Sequence, residues 1–199
     1  MSTNTDILII GGGMSGIGLA AQLRRNYPAP TTFEIYEKAA DIGGTWAVNT
    51  YPGCGVDVPS HFYSYSFALN PNWSRKFTMQ DEILGYFHRV AAQYGLHKHT
   101  RLQCVVERAV WDERRMIWTV TIRDLVGKRT FQRTCKALVS AVGALSVPKK
   151  CDIPGSEDFQ GKLFHSARWD HEFDHAGKNI LVLGNTFLFT CRLTFEVKC

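Results

Sequence analysis

Gly11, Gly13 and Gly16 stand at G-x-G-x-x-G spacing directly after the apolar run Ile7-Leu-Ile-Ile10. A strand that runs into such a turn can bind a pyrophosphate. One glycine makes the tight bend, one lets backbone approach the phosphates, and one lets the following helix pack on the strand. The helix is expected over Ile17 to Arg25, with Met14 and Ser15 at its entrance, where free N–H groups and the helix dipole favour negative charge. A second strand, Thr32 to Tyr36, ends in Glu37, about twenty residues beyond Gly16, where a ribose-binding acid belongs. A carboxylate there accepts from ribose hydroxyls and repels a 2′-phosphate, so the site suits the adenosine of FAD or NAD rather than NADP. Shortly after it, Gly43-Gly44 gives a further loop freedom to approach a cofactor backbone to backbone.

Longer stretches carry a family resemblance. The segments Glu37-Lys-Ala-Ala-Asp-Ile-Gly-Gly-Thr-Trp46, Tyr51-Pro-Gly-Cys-Gly-Val-Asp57 and Tyr63-Ser-Tyr-Ser-Phe67 resemble class B flavoprotein monooxygenases, most closely the Baeyer–Villiger type. Phe159-Gln-Gly161-Lys-Leu-Phe-His165-Ser-Ala-Arg-Trp169-Asp170 is similar to the family fingerprint F-x-G-x-x-x-H-x-x-x-W-D/P at every fixed position. The resemblance runs almost continuously over residues 6–185.

That resemblance implies FAD as cofactor and NADPH as reductant. It also implies a small ketone or other organic substrate and dioxygen, with oxygen inserted through a C4a-peroxyflavin to give an ester or lactone. Gly11, Gly13, Met14, Ser15, Gly16, Glu37, Lys38, Gly44, Thr45, Trp46, Asp57 and Tyr63 are the implied cofactor contacts. Asp57 is in addition the acid that stands near the flavin as partner of a catalytic arginine. Its neighbours Cys54-Gly55-Val56 differ from the Ala-Arg-Cys of many relatives, and a solvated turn aspartate is the other reading. Phe159, Gly161, His165, Trp169 and Asp170 are implied to couple two nucleotide domains. The wording of the motifs is similar to that of fungal secondary-metabolism members.

The expected fold is α/β: a Rossmann-like FAD-binding domain over 1–158 with an antiparallel β-meander insertion, a fingerprint linker over 159–177, and the start of an NADPH-binding Rossmann domain over 178–199. Apolar residues recur over Leu102–Trp111, Ile117–Ile122 and Arg129–Val142, the last returning as a parallel core strand. A helix is expected after Thr78 as N-cap, with Ile83, Phe87, Val90 and Tyr94 at helical spacing and Gly95 as its stop. Lys178 to Gly184 should open a second strand-and-glycine motif. There Gly184 and Asn185 fit, but Thr186 and Phe189 replace glycines, and bulky side chains would block a pyrophosphate. The pattern stops at Thr186, which suggests a frame-shifted or retained-intron tail over 186–199. It also leaves open a second reading, a non-catalytic FAD-binding fragment or pseudoenzyme.

A third, remote reading comes from His171-Glu172-Phe173-Asp174-His175, which fits the H-E-x-x-H signature of zinc hydrolases. It requires a helix that carries both histidines on one face. The segment is boxed in by Trp169-Asp170 and Ala176-Gly177, so no metal is expected. Six cysteines without a C-x-x-C pair read as reduced packing residues. The net charge of +5 is scattered, which argues against a nucleic-acid surface. No apolar run is long enough to span a bilayer and the first residues carry no secretory pattern, so a cytoplasmic protein is expected.

Overall fold

The computed structural model describes residues 4–27 and 31–183. They divide into two units, one comprising the residues up to Ala47 together with Leu84–Ser146, the other Val48–Ile83 together with the residues from Val147 onward.

The first unit is built on a sheet. Among the described residues it has six strands: β1 (Asn4–Ile10), β2 (Phe33–Tyr36), β3 (Thr100–Arg101), β4 (Cys104–Asp112), β5 (Ile117–Asp124) and β6 (Arg129–Ser140), in the order β3-β2-β1-β6-β5-β4. β1 lies between β2 and β6 and is parallel to both, with Ile9 opposite Ile35 and Val139. This position explains the unbroken apolar run Ile7–Ile10 in its second half. Leu8 and Ile9 point to opposite faces, and both are fully buried.

Helix α1 (Met14–Asn26) starts directly after Gly13, three residues earlier than its apolar periodicity suggests. It buries Ile17, Ala20, Ala21 and Leu23, and places Arg24 and Arg25 in its last turn, where cations complement the dipole. The single turn α2 spans Thr45–Val48. Helix α3 (Gln80–Gln93) buries Ile83, Phe87, Val90 and Ala91, and Gly95 in the left-handed conformation follows it. Thr78 is not its N-cap, because the helix starts at Gln80 and the Thr78 hydroxyl donates to the Glu82 carboxylate.

The expected meander is present. Asp112 and Asp124 build its two turns, each Oδ1 accepting from two backbone amides, Arg114 and Arg115 in one case and Val126 and Gly127 in the other. Its first strand begins at Cys104 rather than Leu102, because Gln103 has φ +52° and breaks the extended run. Its last ends at Ser140 rather than Val142. Leu8, Tyr36, Cys104, Val120, Ile122 and Cys135 form one core cluster. Burial pushes the thiols of Cys104 and Cys135 up, in keeping with reduced packing residues.

The second unit is mostly loops and short 3-10 turns. Its buried Ser60 accepts from the Thr78 amide and donates to the Arg75 and Lys76 carbonyls, closing the loop between them. Residues 178–183 form no strand, contrary to expectation. A strand needs a neighbour to satisfy its amides, and Ile180 to Leu183 lie exposed. Gly184, Asn185, Thr186, Phe189 and the rest of the tail lie outside the described residues.

Leu8→Ala is expected to destabilise the protein by about 2–5 kcal/mol through the cavity it leaves. Leu145→Ala, at a side chain 78% exposed, should shift stability by no more than about 0.5 kcal/mol. Chemical denaturation of both variants measures the contrast.

Candidate functional site

The glycine turn lies where β1 hands over to α1. A Cβ at residue 16 would overlap the Gly11 carbonyl oxygen, so a glycine there is what lets the helix start against the strand end. Ile17 N–H donates back to the Gly13 carbonyl at 2.9 Å. α1 has no side-chain cap at Gly13 and no acidic residue in its first turn, while Met14 and Ser15 are exposed. A helix N-terminus of this kind offers amides and a positive dipole end to an anion.

Glu37 follows β2 and is buried, only 6% exposed. Gly12 N–H donates to its Oε2 at 2.7 Å, and Ala39 N–H donates to Oε1 at 2.8 Å. A carboxylate offers about four acceptor positions, so each oxygen retains capacity for a ribose hydroxyl. Gly12 was the residue missed in the sequence. Its signal was its place in the middle of three consecutive glycines, of which the motif counts only the first and last. Lys38 is exposed and its Nζ donates to the Ser146 carbonyl at 2.9 Å.

The Gly43-Gly44 segment packs on the glycine turn itself. Gly43 N–H donates to the Gly12 carbonyl at 2.8 Å, and a Cβ at Gly44 would sit 2.8 Å from Gly13 Cα. The two glycine loops therefore form one backbone-lined surface, which larger residues would push apart. Thr45 is exposed in α2, and Trp46 is buried behind it. This arrangement fits a dinucleotide: a glycine cradle, an uncapped helix N-terminus and a carboxylate with acceptor capacity.

Asp57 and Tyr63 belong to the second unit. The Tyr63 phenol is pushed up, first by burial and then by the Asp57 charge. In the same unit the segment 162–171 makes contacts within itself and with residues 50–51. His165 Nδ1 accepts from the Ala167 amide at 3.0 Å. The Trp169 ring lies 6.5 Å from Tyr51 and meets Phe164 edge-on at 5.2 Å. Lys162 Nζ pairs with Asp170 Oδ2 at 2.7 Å, which holds that carboxyl below its usual range. Phe159 and Gly161 are exposed.

The helix required for zinc is not formed. Residues 171–172 and 176–177 are turns, and His171 Nε2 lies 2.8 Å from the Thr50 hydroxyl. Among the described residues no group of three or more His, Cys, Asp or Glu could hold a metal ion, and no helix is long and apolar enough to cross a membrane.

A family model described as NAD(P)-binding Rossmann-like domain matches residues 9–78. A "Baeyer-Villiger monooxygenase" from Streptomyces coelicolor is 45% identical over 89% of this chain and 33% of its own length. Over most of its length the chain is thus similar to proteins named Baeyer-Villiger monooxygenase. "FAD-binding monooxygenase ktnD" from Aspergillus niger is 42% identical over 92% of the chain and 31% of its own length. The chain thus spans about a third of the length of these curated relatives. Cyclohexanone monooxygenase from Rhodococcus sp. Phi1 bound to NADP+ superposes with TM-score 0.74 at 32% identity, over 89% of this chain and 33% of its own. OTEMO in complex with FAD and NADP gives 0.73 at 34%, over 85% and 31%.

Gly16→Ala is expected to cost about 1–3 kcal/mol or more, since backbone must move to admit the methyl; thermal melting measures it. The Asp170 carboxyl, depressed by Lys162, contributes stability that is present at neutral pH and lost as pH falls below the ordinary carboxylate range. Titration of Asp170 by NMR should move up toward that ordinary range in Lys162→Met, while the Glu172 amide still holds it from the other oxygen.

Proposed function

We propose that this chain is the FAD-binding part of an NADPH-dependent Baeyer–Villiger monooxygenase that uses dioxygen to convert a ketone to an ester or lactone. The observation that carries the proposal is the Glu37 carboxylate beside the uncapped N-terminus of α1. It joins an acceptor for ribose to a donor cluster for phosphate across a single backbone turn. The amides of Gly13, Met14 and Ser15 would hold the pyrophosphate and Glu37 the ribose hydroxyls. Gly44 and Thr45 would bring a second stretch of backbone against the cofactor, with Trp46 behind it and Lys38 as a flanking cation. Bound FAD supplies the oxygen-activating redox chemistry, with NADPH as reductant. Asp57 is the acid we assign to the reaction site and Tyr63 its neighbour. We assign 159–177 to a linker between nucleotide domains. A fungal secondary-metabolism setting is our reading of the motif wording; relatives named as FAD-binding monooxygenases come from Aspergillus niger and Botryotinia fuckeliana.

FAD titration of the full protein, followed by flavin fluorescence, tests this reading. Saturable binding is expected. Ser15→Asp favours the helix start yet sets a charge against the pyrophosphate, so its affinity should fall by about tenfold or more. A folded protein without saturable binding would overturn the reading, and equal affinity in Ser15→Asp would overturn the phosphate placement. Ketone-dependent NADPH oxidation with ester formation is the expected activity; FAD binding without it would leave the non-catalytic reading standing.

A further inference from the structure

Helix α3 braces the second glycine loop from outside the site. Gly43 has φ +119°, and a Cβ there would sit 2.5 Å from Leu84 Cδ1. One turn along α3, on the same helix face, His88 Nε2 lies 3.0 Å from Asp41 Oδ2. The other oxygen of Asp41 accepts from the Ile42 amide at 2.8 Å, so this carboxylate ties the start of the loop to the helix. Both side chains are about half exposed, but Nε2 itself is shielded from water and lacks a well-aligned hydrogen bond. The Asp41 carboxylate, 3.0 Å away, is the acceptor that faces that nitrogen. From the braced loop, Gly43 N–H reaches the Gly12 carbonyl and Gly44 abuts Gly13.

We propose that His88 is a positioning residue for FAD. Through Asp41, and beside Leu84, it presses the Gly43-Gly44 loop onto the phosphate-binding turn and so sets cofactor affinity without touching the cofactor. The inference rests on the FAD-binding reading above. It also gives α3 a task that the glycine motifs do not mention. A loop with left-handed glycines is conformationally free in isolation, and binding competence then scales with the fraction of time it is seated.

The test is a double-mutant cycle on FAD affinity in the full protein, with the melting temperature of the FAD-free protein as the control. His88→Phe keeps the ring's bulk and removes the nitrogen. Asp41→Asn keeps the acceptor for Ile42 and removes the charge. Each should weaken FAD binding by about fivefold, the upper range for a half-exposed pair, with the FAD-free melting temperature little changed. The double variant should also be about fivefold weaker, because the pair acts as one unit. His88→Gln, which restores a donor, should recover most of the loss. Wild-type affinity in either single variant would overturn the proposal, as would independent losses that multiply in the double variant or failure of His88→Gln to recover. If His88→Phe does not fold, Asp41→Asn and His88→Gln decide alone. Failure of wild-type protein to bind FAD at all would instead strike the FAD-binding reading.

Discussion

Much of the first unit is organised around Glu37. Its carboxylate is buried and held by the amides of Gly12 and Ala39. Its own amide donates to the Arg101 carbonyl, and its carbonyl accepts from Cys104, each at 2.9 Å. One residue therefore ties together the turn after β1, the exit of β2 and the entry of the meander. A buried carboxylate left without partners would cost several kcal/mol. The surrounding amides are thus constrained to converge on it, and this convergence places a charged acceptor beside a helix N-terminus.

The meander supports this arrangement from the other side of β1. β6 is antiparallel to β5 and parallel to β1, so a single strand joins the hairpin chemistry of residues 104–128 to the parallel layer. At the inner end of that layer Tyr36 donates to Glu34 Oε2, and Arg133 of β6 lies 3.4 Å from the same oxygen. Burial pushes the Tyr36 phenol well up, so it stays a neutral donor there. The polar cluster fixes the distance between β2 and β6 across β1, and with it the geometry at the strand ends. The outer edge, β4, carries a register shift between Val106 and Arg108, where Glu107 pairs with Arg123; such bulges discourage further strand addition.

Local chemistry was well legible in the sequence. The glycine turn, Glu37, the periodicity of Ile83, Phe87 and Val90, and the alternation of the meander each depend on neighbours in sequence. What escaped depends on neighbours in space. β3 is only a two-residue strand, visible through its pairing with Ile35 and Tyr36. Thr78 has the residue type of a cap, but the Glu82 carboxylate took its hydroxyl. The run Ile180-Leu-Val-Leu183 has every local mark of a strand, yet pairing is a property of two segments and not of one. His88 has no motif at all; its relation to Asp41 arises from how α3 lies against a loop more than forty positions earlier in the chain.

The placement of β1 also dictates an order of assembly. It pairs with β2 within the first few dozen residues, but its other edge waits for Thr134–Ser140. Until the ribosome has released that far strand, the apolar run Ile7–Ile10 has one side unpaired. Loop closure over so long a separation makes such folds slow. A nascent chain of this sequence therefore carries an open, sticky edge through much of its synthesis, and the closing of the sheet by β6 marks the moment it ceases to need shelter.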